Sequence, residues 1–186
     1  MRRAGILCGK KRRGPVIMGE KAGILSMGDS MKTRKVLTYV LFLAIPLAVG
    51  GLASLIAYHG MPTYQQLTKP PFTPPEAAFP VVWTILYLLM GVGGARVWCS
   101  GHPARRQAIL PFGAQLAANF FWTVWFFGAG WYLFAFLWLI LLLWLILWMM
   151  HAFARCDRLA ARLQIPYLVW TGFAAVLTFA VWLLNR

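Results

Sequence analysis

Five apolar stretches of about 20 residues each, separated by short polar breaks, constrain the fold of this chain more than any other feature. They cover residues 36–58, 79–98, 108–127, 131–150 and 167–184. An α-helix needs about 20 apolar residues to cross the hydrocarbon core of a bilayer. Because lipid offers the backbone no hydrogen-bond partners, such stretches must be helical. The sequence therefore predicts an all-α integral membrane protein, a bundle of five transmembrane helices.

The composition leaves no room for a sizeable soluble domain, since 61% of the 186 residues are hydrophobic and only 12% are charged. A net charge of +14 would suggest a nucleic-acid partner in a soluble protein. Here ten of the 18 Lys and Arg precede the first helix, without accompanying aromatic or motif residues. We therefore expect no nucleic-acid partner, with a basic nucleic-acid-binding arm as the alternative.

The positions of Lys and Arg also predict the orientation. Under the five-helix topology sixteen lie on one side of the membrane, and only Lys69 and Arg186 lie on the other. Because cytoplasmic segments are enriched in Lys and Arg, we expect a cytoplasmic N-terminus and an external C-terminus. Short connections between helices and the lack of a C-terminal tail favour a bacterial envelope membrane over the mitochondrial outer membrane.

Residues 1–35 form a basic extension that we expect to be disordered, ahead of a helical domain at residues 36–185. The extension has no apolar run of the length that a signal peptide requires. Met27 and Met31 are alternative starts, since the sequence from Met31 is typical of the beginning of a membrane protein. An Arg-rich mitochondrial presequence is the weaker alternative.

The sequence predicts no metal site and no conventional catalytic group. The three cysteines show no metal-ligand spacing, and we expect free thiols. No Asp, Glu or Lys falls within a predicted span, which counts against an ion-coupled carrier and removes the usual acid, base and nucleophile candidates.

The connection between the first two predicted helices, residues 60–78, is the unusual one. It is long and contains five prolines, Pro62, Pro70, Pro71, Pro74 and Pro75. Prolines disfavour regular helix, and loops of this length are often functional. Because the proline pairs stiffen the chain, we expect an ordered, Pro-rich lid loop.

Polar and aromatic side chains share helix faces inside the predicted spans. Gln115, Asn119 and Trp122 follow one another at i, i+4 and i+7. Trp83 and Tyr87 lie one turn apart, and helix 5 shows similar spacing at Trp170, Ala174 and Leu177. Unpaired amides are costly in hydrocarbon, so the polar face should point into the bundle. Interhelical hydrogen bonding and an aromatic-walled ligand pocket both fit this spacing.

Four sequence blocks occur together in one order. They are KPPFTPP at residues 69–75, FPVVWTILY at 79–87, QLAANFFW at 115–122 and PYLVW at 166–170. Over about residues 36–185 the chain resembles the translocator protein family, also called tryptophan-rich sensory protein, TspO/MBR or peripheral benzodiazepine receptor.

The resemblance implies a five-helix bundle, often a homodimer, that binds porphyrins; some members bind cholesterol or synthetic isoquinoline and benzodiazepine ligands. It implies a pocket within the bundle that needs no cofactor and takes a protoporphyrin-like ligand. The implied ligand-binding residues are Trp83, Tyr87, Asn119, Trp122, Trp170, Ala174 and Leu177, with Gln115 on the same polar face. The implied lid residues are Lys69, Pro70, Phe72, Pro74 and Pro75.

The chain departs from the family pattern at several positions. Phe72 and Ala77 stand where the family often has Trp in the lid, and Thr178 replaces the usual Asn. No Tyr precedes Arg186 in the way the C-terminal cholesterol motif requires, so we expect no motif-driven cholesterol binding.

We therefore expect a protein that binds tetrapyrroles for porphyrin handling or stress-linked regulation. One alternative is light-dependent porphyrin degradation, with Trp83 and Trp170 as the candidate photochemical residues. Another is uncoupled transport of porphyrins or other lipophilic small molecules.

Overall fold

The computed structural model describes the backbone from Ile17 and the side chains from residue 32 to the C-terminus. The chain divides into a unit of residues 1–35 and a unit of residues 36–186, and the cavity described below lies within the second. Residues 1–16 of the predicted extension lie outside the described residues. The predicted disorder of residues 1–35 and the alternative starts at Met27 and Met31 are not tested and stay predictions.

The described residues form six α-helices and one π-helical turn. They are α1 (Ile17–Gln66), α2 (Ala78–Cys99), α3 (Arg105–Thr123) with its π turn (Val124–Gly128), α4 (Tyr132–Cys156), α5 (Arg158–Arg162) and α6 (Ile165–Leu184). Five of the α-helices match the five predicted stretches, and the short α5 was not predicted.

By length and apolar composition, four helical segments of the described chain can cross a membrane: Lys32–Gln66 of α1, α2, α4, and α5 together with α6. Helix α3 is not among them, because it begins with Arg105 and Arg106 and buries Gln115 and Asn119. The all-helical membrane fold is therefore confirmed, with four helical segments of the described chain able to span a membrane.

The structure corrects the predicted boundaries of the first loop. Helix α1 does not end near residue 58 but continues to Gln66, with Pro46 and Pro62 inside it. The connection to α2 therefore covers only residues 67–77. A proline removes one backbone donor, and a membrane helix tolerates this where neighbouring groups pack against the turn. The ring of Tyr64 packs on Phe126 and Phe127 of the π turn, which holds the last turns of α1 in place.

Helix α4 packs against both α3 and α6. One face of α4 is almost completely buried, and its residues Leu139, Leu142, Ile146, Met149 and Phe153 recur at helical spacing. A hydrogen bond of 2.8 Å from Trp138 Nε1 to the Ala118 carbonyl joins α4 to α3. These contacts form a core into which the polar face of α3 must fit.

Glycines on α1 and α2 allow the two helices to approach closely. A Cβ atom at Gly91 would lie 2.7 Å from the carbonyl oxygen of Phe42. A Cβ atom at Gly50 would overlap the ring of Tyr87. Small residues permit such approaches between membrane helices, and here they bring the middle of α1 beside α2.

We call the end of the bundle that carries residues 67–77 the loop end. At the other end, an ion pair joins α2 to the junction of α4 and α5. Arg96 Nη2 lies 2.8 Å from Asp157 Oδ2, at the junction of α4 and α5. Asp157 Oδ1 also accepts hydrogen bonds from the backbone N–H groups of Leu159 and Ala160, which caps α5. This network links α2 to the α4–α5 junction at the end of the bundle away from the loop end.

The loop of residues 67–77 is held to the C-terminal end of α6. The Asn185 side chain accepts from Thr68 N at 2.9 Å and donates to Thr68 O at 2.9 Å. Its amide also donates to the Val181 carbonyl at 2.8 Å. The ring of Phe72 contacts Phe173 of α6, with centroids 6.4 Å apart. The loop is therefore ordered by side chains of α6.

We expect Asn185→Ala to speed hydrogen exchange of the Thr68 amide by about fivefold, since a net hydrogen bond is worth roughly 1 kcal/mol. The measurement is amide hydrogen exchange in detergent, followed by mass spectrometry. Asn185→Asp keeps an acceptor for the Thr68 N–H but loses the two bonds that the amide donates, so it should retain only part of the protection. Unchanged exchange in Asn185→Ala would show that the amide does not hold the loop.

Candidate functional site

A cavity of about 450 Å³ lies between the C-terminal half of α1, the start of α2 and the end of α3. Its lining residues are Gly50, Ala53, Ser54, Leu55, Ala57, Tyr58, Met61, Tyr64, Glu76, Phe79, Pro80, Trp83, Tyr87, Asn119, Trp122, Thr123 and Phe127. Its volume falls within the range of small-molecule sites, about 300–1,000 Å³, and its lining is mostly apolar and aromatic.

Trp83 is the centre of the aromatic wall. Its ring stacks on Tyr87 with centroids 5.7 Å apart and an interplanar angle of 30°. It also contacts Trp122 at 6.2 Å and the edge of Tyr167 at 6.3 Å. Aromatic pairs at these separations stabilise one another beyond simple burial. The wall is therefore pre-formed and offers flat π surfaces to an occupant.

Hydrogen bonds run from this wall into the interior of the bundle. The Tyr87 hydroxyl donates to Asn119 Oδ1 at 2.7 Å, and Asn119 Nδ2 donates to the Tyr167 hydroxyl at 3.4 Å. The Tyr167 hydroxyl donates to Gln115 Oε1 at 2.8 Å, and Gln115 Nε2 lies 3.8 Å from the sulfur of Met90. Because buried amides need partners, this chain makes the polar face of α3 compatible with an apolar surrounding.

The two sequence interpretations of the α3 face therefore each describe part of it. Gln115 is fully buried and belongs only to the hydrogen-bond chain. Trp122 lines the cavity, and Asn119 does both. Helical periodicity places Gln115, Asn119 and Trp122 on one face of α3, but it does not show which end of that face lines a cavity.

The structure brings four of the predicted ligand-binding residues together and separates three. Trp83, Tyr87, Asn119 and Trp122 line the cavity. Trp170, Ala174 and Leu177 of α6 do not line it. Trp170 reaches the cavity only through Phe79, whose ring centroid is 6.0 Å from its own, and Ala174 and Leu177 are buried elsewhere in the bundle.

None of the predicted lid residues lines the cavity. Lys69, Pro70, Phe72, Pro74 and Pro75 lie in the loop, whereas Glu76 is the loop residue that does line it. Glu76 Oε1 is 3.5 Å from Lys69 Nζ, and Gln65 Nε2 donates to Glu76 Oε2 at 3.0 Å. The base of the loop therefore places one carboxylate, held by two partners, at the mouth of the cavity.

Several cavity residues were not predicted from sequence. Gly50, Ala53, Ser54 and Ala57 form the α1 wall, where small side chains leave room for an occupant. Their spacing of i, i+3, i+4 and i+7 was a signal that a search for small-residue faces would find. Tyr167 was quoted only as part of a motif, and its place in the hydrogen-bond chain had no sequence signal.

No group of three or more His, Cys, Asp or Glu side chains able to hold a metal ion occurs in residues 32–186. In that range Cys99 and Cys156 are free thiols, and the third cysteine, Cys8, lies outside the described residues. The polar groups that line the cavity are hydroxyl, amide, indole and carboxylate groups.

Comparison with known proteins gives one consistent result. The family model TspO/MBR matches residues 42–183. The tryptophan-rich protein TspO of Chlorobaculum tepidum is 36% identical over 157 residues, covering 82% of this chain and 98% of that protein. The translocator protein of Sus scrofa is 34% identical over 149 residues, covering 78% and 88%. The tryptophan-rich sensory protein of Cereibacter sphaeroides is 35% identical over 122 residues, covering 66% and 76%.

Proposed function

Because the chain belongs to the TspO/MBR family of multi-pass membrane proteins, we propose that it binds tetrapyrroles in the cavity between α1, α2 and α3. The binding serves porphyrin handling or stress-linked regulation. One observation carries this proposal, namely a pre-formed cavity of about 450 Å³ whose wall is built from stacked aromatic rings.

The chemistry of the lining supports a flat, largely apolar ligand. The rings of Trp83 and Trp122 offer faces on which a conjugated macrocycle can stack. The small side chains of the α1 wall, opposite these rings, leave space in the cavity for the macrocycle. The hydroxyl of Tyr87 and the amide of Asn119 bond to each other, so they present little unmet polarity to an apolar ring. These features favour a planar macrocycle over a strongly polar metabolite.

The proposal includes a five-span topology in which α3 with its π turn is the fifth span. Together they cover 24 residues, about 36 Å at 1.5 Å per residue, which is enough to cross the hydrocarbon core. The side-chain amides of Gln115 and Asn119 in α3 are buried and hydrogen-bonded, and its two arginines lie at its start. The excess of Lys and Arg on one side then puts the N-terminus in the cytoplasm and the loop end outside.

We further propose that the loop of residues 67–77 acts as a lid at the external end. Its links to Asn185 and Phe173 hold it on the α6 side of the bundle, while Glu76 reaches the mouth of the cavity. In this proposal the loop limits ligand exchange with the outside, and Glu76 is the part of the lid that an occupant meets.

Titration with protoporphyrin IX in the dark, followed by tryptophan fluorescence in detergent, tests the proposal. We expect saturable quenching and a Kd that rises about tenfold in Trp83→Phe, because the wall loses a stacking indole. Trp170→Phe should raise Kd by less, about twofold, since Trp170 contacts the cavity only through Phe79.

The exposed Trp144 supplies the matched control, because Trp144→Phe removes an indole that faces away from the core. This variant should keep the wild-type Kd after correction for the lost fluorophore. Quenching that stays linear in porphyrin and equals partitioning into empty micelles would contradict the proposed function. A Kd unchanged by Trp83→Phe would show that the ligand binds at another place in the protein.

A further inference from the structure

Two buried hydrogen-bond donors in the cavity wall have no acceptor among the described residues. They are the hydroxyl of Tyr64, a residue 5% exposed, and the indole N–H of Trp122, a residue 7% exposed. Both residues line the cavity. Other polar groups of the lining do have partners, as the bond between Tyr87 and Asn119 shows. The lining therefore offers two hydrogen-bond donors to a ligand that brings acceptor groups.

A cation lies beside one of these donors. Lys69 Nζ is 4.5 Å from the ring centroid of Tyr64, at a distance that allows a cation–π interaction. The same ammonium group is 3.5 Å from Glu76 Oε1. Glu76 is the one carboxylate among the described residues of the lining. At the mouth of the cavity, the lining residues Tyr64 and Glu76 thus both contact the ammonium group of Lys69, a loop residue that lies just outside the lining.

We propose that the cavity recognises a carboxylate of its ligand at Tyr64 and Lys69, and that Glu76 is the internal anion that this carboxylate competes with. The inference rests on the proposed tetrapyrrole binding and assigns the residues that meet the carboxylate edge of such a ligand. The Tyr64 hydroxyl donates to the ligand carboxylate, and Lys69 supplies the opposite charge. Trp122 adds a second donor deeper in the wall.

The arrangement also separates ring recognition from carboxylate recognition. The faces of Trp83 and Tyr87 contact any planar macrocycle, with or without acidic substituents. The Tyr64 hydroxyl and the Lys69 ammonium favour only a ligand that brings acceptors. Glu76 opposes such a ligand, since like charges repel at short range. Removal of Tyr64's hydroxyl and removal of Glu76's charge should therefore change selectivity in opposite directions.

The test compares two porphyrins that differ in acidity. Protoporphyrin IX carries two carboxylates, whereas etioporphyrin carries only alkyl groups, and the ratio of their Kd values measures carboxylate recognition. In Tyr64→Phe we expect the preference for protoporphyrin IX to fall about tenfold, because a charge-assisted hydrogen bond is lost. The Kd for etioporphyrin should stay near the wild-type value, which shows that the cavity is intact.

In Glu76→Gln the preference for protoporphyrin IX should instead rise about threefold or more, because Lys69 is released. Tyr39→Phe removes a hydroxyl from the same helix outside the cavity and should leave both Kd values unchanged. Equal Kd ratios in wild type, Tyr64→Phe and Glu76→Gln, with both porphyrins still bound, would overturn the inference and leave the proposed function standing. Absence of saturable binding of either porphyrin to the wild type would overturn both.

Discussion

Replacing Gly60 with alanine is expected to lower the free energy of unfolding by roughly 2–3 kcal/mol and to weaken porphyrin binding about tenfold or more. A Cβ atom at Gly60 would overlap the backbone carbonyl oxygen of Phe127 and lie 2.9 Å from its carbonyl carbon. A backbone carbonyl cannot rotate away as a long side chain can. The substitution must therefore push α1 away from the π turn.

This displacement matters for binding because Phe127 and α1 are both walls of the cavity. The measurement is chemical unfolding in detergent together with a protoporphyrin IX titration. Gly51→Ala is the matched control, since a Cβ atom at Gly51 has nothing within 4 Å. It should be neutral or slightly stabilising, because alanine has the higher helix propensity. Equal stability of the two variants would contradict the close approach of α1 to the π turn.

Asn119→Leu should lower the free energy of unfolding by about 2–3 kcal/mol, because it breaks the centre of the buried hydrogen-bond chain. The Tyr87 hydroxyl would lose its acceptor, and the Tyr167 hydroxyl would lose a donor. Leucine has the same number and branching of side-chain heavy atoms as asparagine, so the loss would come mainly from unpaired polar groups rather than from a cavity.

Chemical unfolding in detergent measures this effect, and Gln107→Leu is the control on the same helix. Gln107 is exposed near the start of α3, so its replacement should change stability by less than about 0.5 kcal/mol. Asn119→Leu should also weaken porphyrin binding, because Tyr87 is no longer fixed in the wall. If both variants unfolded at the same denaturant concentration, the hydrogen-bond chain would not contribute to the stability of the protein.

The membrane helices were predictable from the sequence to within a few residues at most of their ends. Hydropathy locates α2, α3 with its π turn, α4 and α6, since each stretch must be apolar and helical to lie in a bilayer. The end of α1 was not predictable in this way. Pro62 suggested a break, but contacts of Tyr64 with the π turn keep the chain helical to Gln66.

The cavity was predictable only in part, for a physical reason. Helical periodicity assigns Asn119 and Trp122 to one face of α3, and Trp83 and Tyr87 to one face of α2. It does not fix how the helices are rotated against one another. Trp170 therefore looked equivalent to Trp83 in the sequence, yet it lies on the far side of Phe79.

Residues whose roles depend on contacts with distant parts of the chain were the hardest to predict from the sequence. The role of Tyr167 depends on three elements meeting at its hydroxyl group, which bonds to Asn119 and Gln115. Glu76 follows two prolines in a loop and looked like a solvated charge. Its place in the lining depends on the path of the whole loop between α1 and α2.

The most direct test of a tetrapyrrole in this cavity is a protoporphyrin IX titration of a variant in which the cavity is filled. Ala53 is buried in the α1 wall, so Ala53→Trp should occupy the space without removing any wall side chain. Gly51→Trp adds the same indole two residues earlier, where there is open space. We expect loss of saturable binding in Ala53→Trp and a wild-type Kd in Gly51→Trp. A wild-type Kd in folded Ala53→Trp would contradict the binding of a tetrapyrrole in this cavity.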